Sequence, residues 1–473
     1  MPPRRRTPAP PGLRPRPAAW ALLLLAVLAG AAAAQGDRVA LAPGEAWPDL
    51  TPGATVVLAP GTYEGPWTID VPDVVLEGAG AILRGPREGS ALRLFASGVV
   101  VRDLTIDGGG TNPDLYAPDA AAWLLDCHAC RLEGVTTSGT PAGVRIEASR
   151  DVRVDAAQLR GGPDGPGVTA YQAPNLALTD LDVAGFLDGA YLERSNGVRV
   201  DGGTVRGARR YGLHVMFSAD AHLRDVAVTD GGVGSAVMYA RDARIENVRF
   251  GGHRGPLAYG LLLQEMDGAT VRDVALHDNT IGALIVSSRG VRVAGGTVTG
   301  NGTGLLVRRA DGAEASAVRI EGTTFARNVG DVAVDDPEAA VALRGNAFDA
   351  ASPLDRDRDG VSDVAHLPTS TFALLTSRTP DLSLFALNPG VTAWEAAERR
   401  VPALRTARLR DPAPRVPSRA AAPPAPSDGG RPALAGLVAV ALAATGGTLA
   451  RAGRTPGRPA GPPPARTPPP TPP

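Results

Sequence analysis

Apolar residues fall on alternate positions immediately after a glycine that recurs along the middle of the chain. Segments opening at Gly143, Gly167, Gly189, Gly212, Gly234, Gly260, Gly282 and Gly304 are separated by 24, 22, 23, 22, 26, 22 and 22 residues. The first and third positions after the glycine are apolar, as in Val144/Ile146, Ala190/Leu192, Leu213/Val215, Leu261/Leu263, Ala283/Ile285 and Leu305/Val307. A two-residue period is the signature of a strand with one face turned to a core. A second alternating stretch follows in most units, at Val152/Val154, Val198/Val200, Ile245/Val248, Val271/Val274 and Val291/Val293. A third often ends in Asn, at Asn279, Asn301 and Asn328.

Short strands joined by tight turns, in units of about 22 residues, predict an all-β chain folded as a right-handed parallel β-helix. Leucine-rich repeats have a different spacing and propeller blades need about twice the length. No single coil buries enough apolar surface to stand alone, so each rests on the next. Looser versions of the pattern (Val56/Leu58, Val74/Leu76, Leu92/Leu94, Val99/Val101) extend the solenoid toward the N-terminus, giving 35–350 as its span. The Asn residues are expected to take left-handed geometry at the turns and to bond neighbouring backbone.

The two ends differ from this body. Residues 1–34 carry five arginines, no acid and the apolar run Ala18 to Ala29, which reads as a secretory signal peptide cleaved near Ala34. Residues 351–402 combine an Asp-rich loop with an amphipathic helical segment. Residues 403–431 read as a Pro-rich linker, 432–450 as an uncharged candidate transmembrane helix, and 451–473 as a disordered basic tail. The alternative for 432–450 is a weakly apolar linker; if it spans, the arginines after it lie on the cytoplasmic side. The formal charge of the whole chain is −1; setting aside +5 in the leader and +8 in residues 403–473 leaves the body at −14. An acidic exported body suits cations, and nucleic acid is set aside as a partner. The 58 glycines and 44 prolines agree with a turn-dense β architecture, and lysine is missing altogether.

If positions one and three of each unit point inward, positions two and four point outward and stack in columns about 4.8 Å apart. The fourth position reads Glu147, Tyr171, Glu193, Met216, Met238, Gln264, Val286, Arg308. His214 precedes Met216 by two residues on the same face, roughly 7 Å along the strand. Imidazole and thioether suit Cu(I), so His214, Met216 and Met238 form a candidate copper site. The same column, flanked by Phe217 and Tyr239, also suits a protein-binding surface, and a loop laid over the face would make these residues ordinary core.

Three further motifs bear on chemistry. Cys127-His-Ala-Cys130 lacks the context of a redox or zinc site and reads as a local disulfide or a pair of reduced thiols, with a copper role for His128 left open. Asp355, Asp357, Asp359 and Gly360, followed by Asp363, match the opening of a calcium loop, although His366 stands where an EF-hand places its bidentate Glu. The interleaved Arg356 and Arg358 also allow a solvated ion-pair turn. Glu147 and Glu193, two rungs or roughly 9–10 Å apart, keep open a polysaccharide-binding or polysaccharide-modifying β-helix of lyase, epimerase or hydrolase type.

The run Tyr211-Gly-Leu-His-Val-Met-Phe-Ser218, the following Ala236-Val-Met-Tyr239, the Asp355–Asp363 loop and the closing Trp394-Glu-Ala-Ala-Glu-Arg-Arg-Val-Pro402 together resemble the NosD family of nitrous-oxide-reductase maturation proteins, β-helices of the pectate-lyase-like, CASH type. The resemblance covers roughly 37–402. It implies a periplasmic accessory protein, not an enzyme, that passes copper toward nitrous oxide reductase during copper-sulfur centre assembly. It also implies two partners, the membrane subunit of an ABC transporter and a copper chaperone lipoprotein, with residues 371–402 docking on the former or capping the solenoid. His214, Met216 and Met238 are the residues it marks for copper. The stretch Ala219-Asp-Ala-His222 and the Pro/Arg tail depart from the family pattern.

Overall fold

The computed structural model describes residues 37–416, apart from 163, 257, 311, 337, 386–387, 402–403 and 405–408. The leader, the candidate span 432–450 and the basic tail lie outside the described residues. Among the described residues no helix is long and apolar enough to cross a membrane.

The chain forms a parallel β-solenoid of about 13 turns with coils of about 23 residues. One face is a continuous 12-stranded parallel sheet running from Trp67–Ile69 to Gly330–Asp335, and the other strands form a 25-stranded ladder. The looser N-terminal units belong to the same stack, and the last strand is Ala347–Phe348. Inward residues of every coil, from Leu41 to Ala351, merge into one buried apolar core.

The recurring glycine has a steric cause. A Cβ on Gly212, Gly234, Gly260 or Gly282 would lie 2.2–2.6 Å from the carbonyl oxygen of the next glycine in the column. Backbone packs on backbone there, and only hydrogen fits between. Polar ladders close the turns. Asn279 N–H donates to Asn301 Oδ1, Asn301 N–H to Asn328 Oδ1, and their carboxamide nitrogens donate to Phe250, Leu276 and Val298 carbonyls. The expected backbone bonding is present, but left-handed geometry falls on the preceding residues, Asp278, Gly300 and Arg327, not on the Asn residues. Ser195, Ser218, Ser288 and Ser316 make a second ladder, accepting backbone N–H groups from the rung before.

The C-terminal end is covered. Helix α1 (Thr371–Arg378) begins at the cap Ser370 and packs on the free edge of the 12-stranded sheet at its final strand, Gly330–Asp335, where Thr369 donates to the Val332 carbonyl and Arg378 pairs with Asp335 at 2.6 Å. A short 3₁₀ turn (Pro380–Phe385) leads to α2 (Pro389–Arg400), whose Asn388 cap and N1 proline set its start. Residues 409–416, within the stretch read as the beginning of a Pro-rich linker, return to the last turn. There buried Asp411 accepts from Gly345 N, Asn346 N and Asn346 Nδ2.

Candidate functional site

The register of the 12-stranded sheet builds the site. Glu147, Tyr171, Glu193, Met216, Met238, Gln264, Val286 and Arg308 are successive Cα partners, so the fourth-position column stands as read. The second-position column runs Arg145, Thr169, Tyr191, His214, Ala236, Leu262, Leu284 and Leu306. Leu213 and Val215 enter the interior core, whereas Ala236 and Met238 belong to a separate apolar cluster with Leu262, Leu284 and Leu306.

His214 is therefore on the outer side of the sheet but is not turned to solvent: it is only 5% exposed. Its ring packs between Tyr191 and Tyr211, with centroids at 4.9 and 4.4 Å, and Tyr116 meets Tyr191 edge-on from the loop joining Thr105–Asp107 to Ala120–Leu125. An outward position predicts exposure only when nothing folds over it, and here aromatic rings do. Met216 and Met238 are half-buried, with Met216 Sδ 4.0 Å from the Tyr191 hydroxyl. Met266, the third methionine of the body, lies in the interior core.

Beneath the imidazole sits a charged group that the repeat pattern did not single out. Asp188 is fully buried and its Oδ2 lies 3.1 Å from His214 Nδ1. Arg210 grips the same carboxylate with Nε on Oδ1 at 2.8 Å and Nη2 on Oδ2 at 2.5 Å, and Tyr211 N–H adds a bond to Oδ1. Burial pushes the Asp188 carboxyl upward, but the bonds and charge of Arg210, with the bond to His214, outweigh it and hold the group below the usual carboxylate range. His214 Nε2 is buried with no hydrogen-bond partner. A signal was available: in the rungs that follow, the residue before the glycine is Tyr211, Val233, Tyr259, Ile281 or Thr303, and Asp188 is the one carboxylate in that series.

Around this core the rim is aromatic. Phe217 and Tyr239 stack at 5.1 Å, Arg194 lies over Phe217, and an open cavity of about 480 Å³ borders them with Asn196, Arg241 and Asp267. Glu193 accepts from the Tyr191 hydroxyl at 2.5 Å; burial first, and then this bond, raise that phenol's pKa. Glu147 accepts from Trp123 Nε1 and from Arg145.

Residues 157–346 match the family described as periplasmic copper-binding protein (NosD). The NosD match spans Asp188, His214, Met216 and Met238 and stops before the Asp355 loop and the helical cap. It agrees with the resemblance carried by the His/Met rung and ties that stretch to copper and to the periplasm. No curated protein matches the chain. Among solved structures, the chain is similar to the A-module of the Azotobacter vinelandii mannuronan C-5 epimerase AlgE6, at 16% identity and TM-score 0.53 over 63% of this chain and 91% of that one. The periplasmic alginate epimerase AlgG follows at 11% identity and TM-score 0.49, covering 63% of this chain and 77% of that one. At these identities the likeness is one of fold.

Elsewhere, Cys127 and Cys130 form a buried disulfide. In the Asp-rich loop, carboxylate oxygens of Asp355, Asp357 and Asp359 lie within 4.8 Å of one another, and Asp355 Oδ1 is without a partner. Asp363 instead accepts from Arg356 N–H at 2.9 Å, and His366 lies against Phe348.

Proposed function

We propose that this chain is a periplasmic accessory protein that receives Cu(I) and passes it on during maturation of nitrous oxide reductase, in company with an ABC transporter and a copper chaperone lipoprotein. The observation that carries the reading is the buried, partnerless Nε2 of His214 on the same outer face as the thioethers of Met216 and Met238. An imidazole nitrogen held by a carboxylate on its other side, with thioethers on the same face, is the donor set that suits Cu(I) and offers hard cations none of the oxygen ligands they prefer. The NosD match of residues 157–346 supports the metal and the compartment. Half-burial of the two methionines suits transfer: an incoming donor can replace one thioether while His214 still holds the ion. Docking on the transporter is assigned to the C-terminal cap, where Leu375, Phe385, Trp394, Val401 and Leu404 are exposed.

The test is a triple variant, His214→Gln with Met216→Leu and Met238→Leu, compared with the native chain for Cu(I) affinity and for the copper content of nitrous oxide reductase in cells. Loss of both with an unchanged circular dichroism spectrum is expected. A reductase filled with copper to the native level sinks the assignment.

The convergence of Asp355, Asp357 and Asp359 favours a structural Ca²⁺ in the loop that leads from the solenoid into the cap. Polysaccharide modification is the weaker alternative, since Glu147 and Glu193 are already engaged by Trp123, Arg145 and Tyr191. Turnover of a uronate polymer, lost on changing either glutamate, would revive it.

A further inference from the structure

We infer that Asp188 is a positioning residue which, locked by Arg210, fixes the imidazole proton of His214 on Nδ1 and leaves Nε2 as a bare lone pair. The inference rests on the copper reading only for what Nε2 then binds. Both oxygens of the Asp188 carboxylate already accept, from the Arg210 guanidinium fork and from Tyr211 N–H, so the group acts as an acceptor and the 3.1 Å contact requires His214 Nδ1 to donate. A proton on Nε2 as well would place a charged imidazolium N–H in a buried position with no acceptor. Both demands are met by one tautomer. Asp188 cannot turn away, because Oδ1 accepts from Arg210 Nε and Tyr211 N–H while Oδ2 accepts from Arg210 Nη2 and His214. Tyr191 and Tyr211 both pack against the ring and restrict its rotation. The other charge nearby, Glu193, is bound to the Tyr191 hydroxyl and does not compete for the imidazole.

Asp188→Asn tests this with little change of shape. The carboxamide oxygen takes the Oδ1 place, where the donors Arg210 Nε and Tyr211 N–H cannot be reversed, which puts its NH₂ against His214 Nδ1 at the loss of the Arg210 Nη2 bond. The proton is then driven to Nε2. In the full chain labelled with ¹⁵N-histidine, long-range ¹⁵N–¹H correlation resolves six side chains, and His214→Gln assigns the one in question. We expect Nδ1–H in the native protein, Nε2–H in Asp188→Asn, and a Cu(I) affinity about 10- to 100-fold lower in that variant. Should Asp188→Asn fail to fold, the native spectrum still decides: a native His214 protonated on Nε2 overturns the inference. So does a variant that keeps its proton on Nδ1. A tautomer that moves while Cu(I) affinity stays native upholds the positioning role and overturns copper binding at His214, which separates the two claims.

Discussion

Met216 and Met238 are register partners in the adjacent strands Tyr211–Met216 and Val233–Met238, one rung apart on the outer face and both half-buried. Met→Leu at either position conserves volume, so the packing cost stays below about 1.5 kcal/mol, whereas a thioether ligand is lost. Each single variant is expected to weaken Cu(I) binding by about tenfold, equivalent to about 1.4 kcal/mol, read by competition with a chromophoric Cu(I) chelator. Met266→Leu is the internal control, because that thioether lies in the solenoid's interior core. Equal losses in all three variants point to a general packing effect and against a site.

The glycine column should be as intolerant as its geometry implies. A Cβ on Gly282 meets the Gly304 carbonyl oxygen at 2.4 Å, and that atom is backbone, so it cannot swing aside. Gly282→Ala is expected to cost at least the 1–3 kcal/mol or so typical of overpacking, measured by urea unfolding. Gly162, with nothing within 4 Å of its added Cβ, supplies the control substitution and should change stability little.

These two cases mark what was legible in the sequence. Stacked coils force every unit into one register, so a period of 22 to 26 residues with a glycine start places Met216 against Met238 before any coordinates exist. Burial of His214 was not legible in the same way. It depends on Tyr191 one rung below, on Tyr211 three residues earlier in the same strand, and on Tyr116, which reaches Tyr191 from a distant loop; a repeat period encodes neither which of these positions are aromatic nor where that loop folds. Arg210 and Asp188 are 22 residues apart and meet only because the coil closes. The fate of residues 409–416 was hidden for the opposite reason: their composition resembles the Pro/Arg tail, and it is Asp411, by satisfying three donors on Gly345 and Asn346 in the last turn, that returns the chain to the solenoid.

Calcium should stabilise the junction between solenoid and cap. Gly360 N–H binds Asp355, Asp359 N–H binds Asp357 and Val361 N–H binds Asp359, so the backbone already holds the three carboxylates in a turn. For a dissociation constant of about 0.1–1 mM, typical of extracellular modules, 10 mM Ca²⁺ raises unfolding free energy by about 1.4–2.7 kcal/mol. Asp357→Asn should remove most of that gain, and Mg²⁺ at the same concentration should give much less. A denaturation midpoint indifferent to Ca²⁺ leaves the loop as a solvated ion-pair turn.

Asp331 predicts an unusual pH dependence at the capped end. It follows Gly330 in the final strand of the 12-stranded sheet, at the register position where Gly304 and the earlier rungs carry glycine, and a side chain is admitted because, among the described residues, no further strand stacks on that sheet. The carboxyl is nine-tenths buried beside a cavity of about 140 Å³ bordered by Asp349, His366, Glu395 and Glu398. Burial raises its pKa from 3.8 to about 7; the bond from Asn328 opposes the shift and the charge of Asp349 adds to it. A raised carboxyl binds its proton more tightly in the folded state, so its effect on stability is favourable at low pH and is lost as pH rises between 3.8 and about 7. The slope in that window is on the order of 1 kcal/mol per pH unit. Asp331→Asn keeps the shape and abolishes the titration, so the variant should match the native chain near pH 5 far more closely than at pH 8, where it should be the more stable of the two. Parallel urea midpoints for both proteins across that range would show that Asp331 is solvated or paired and that the cap does not sense pH through it.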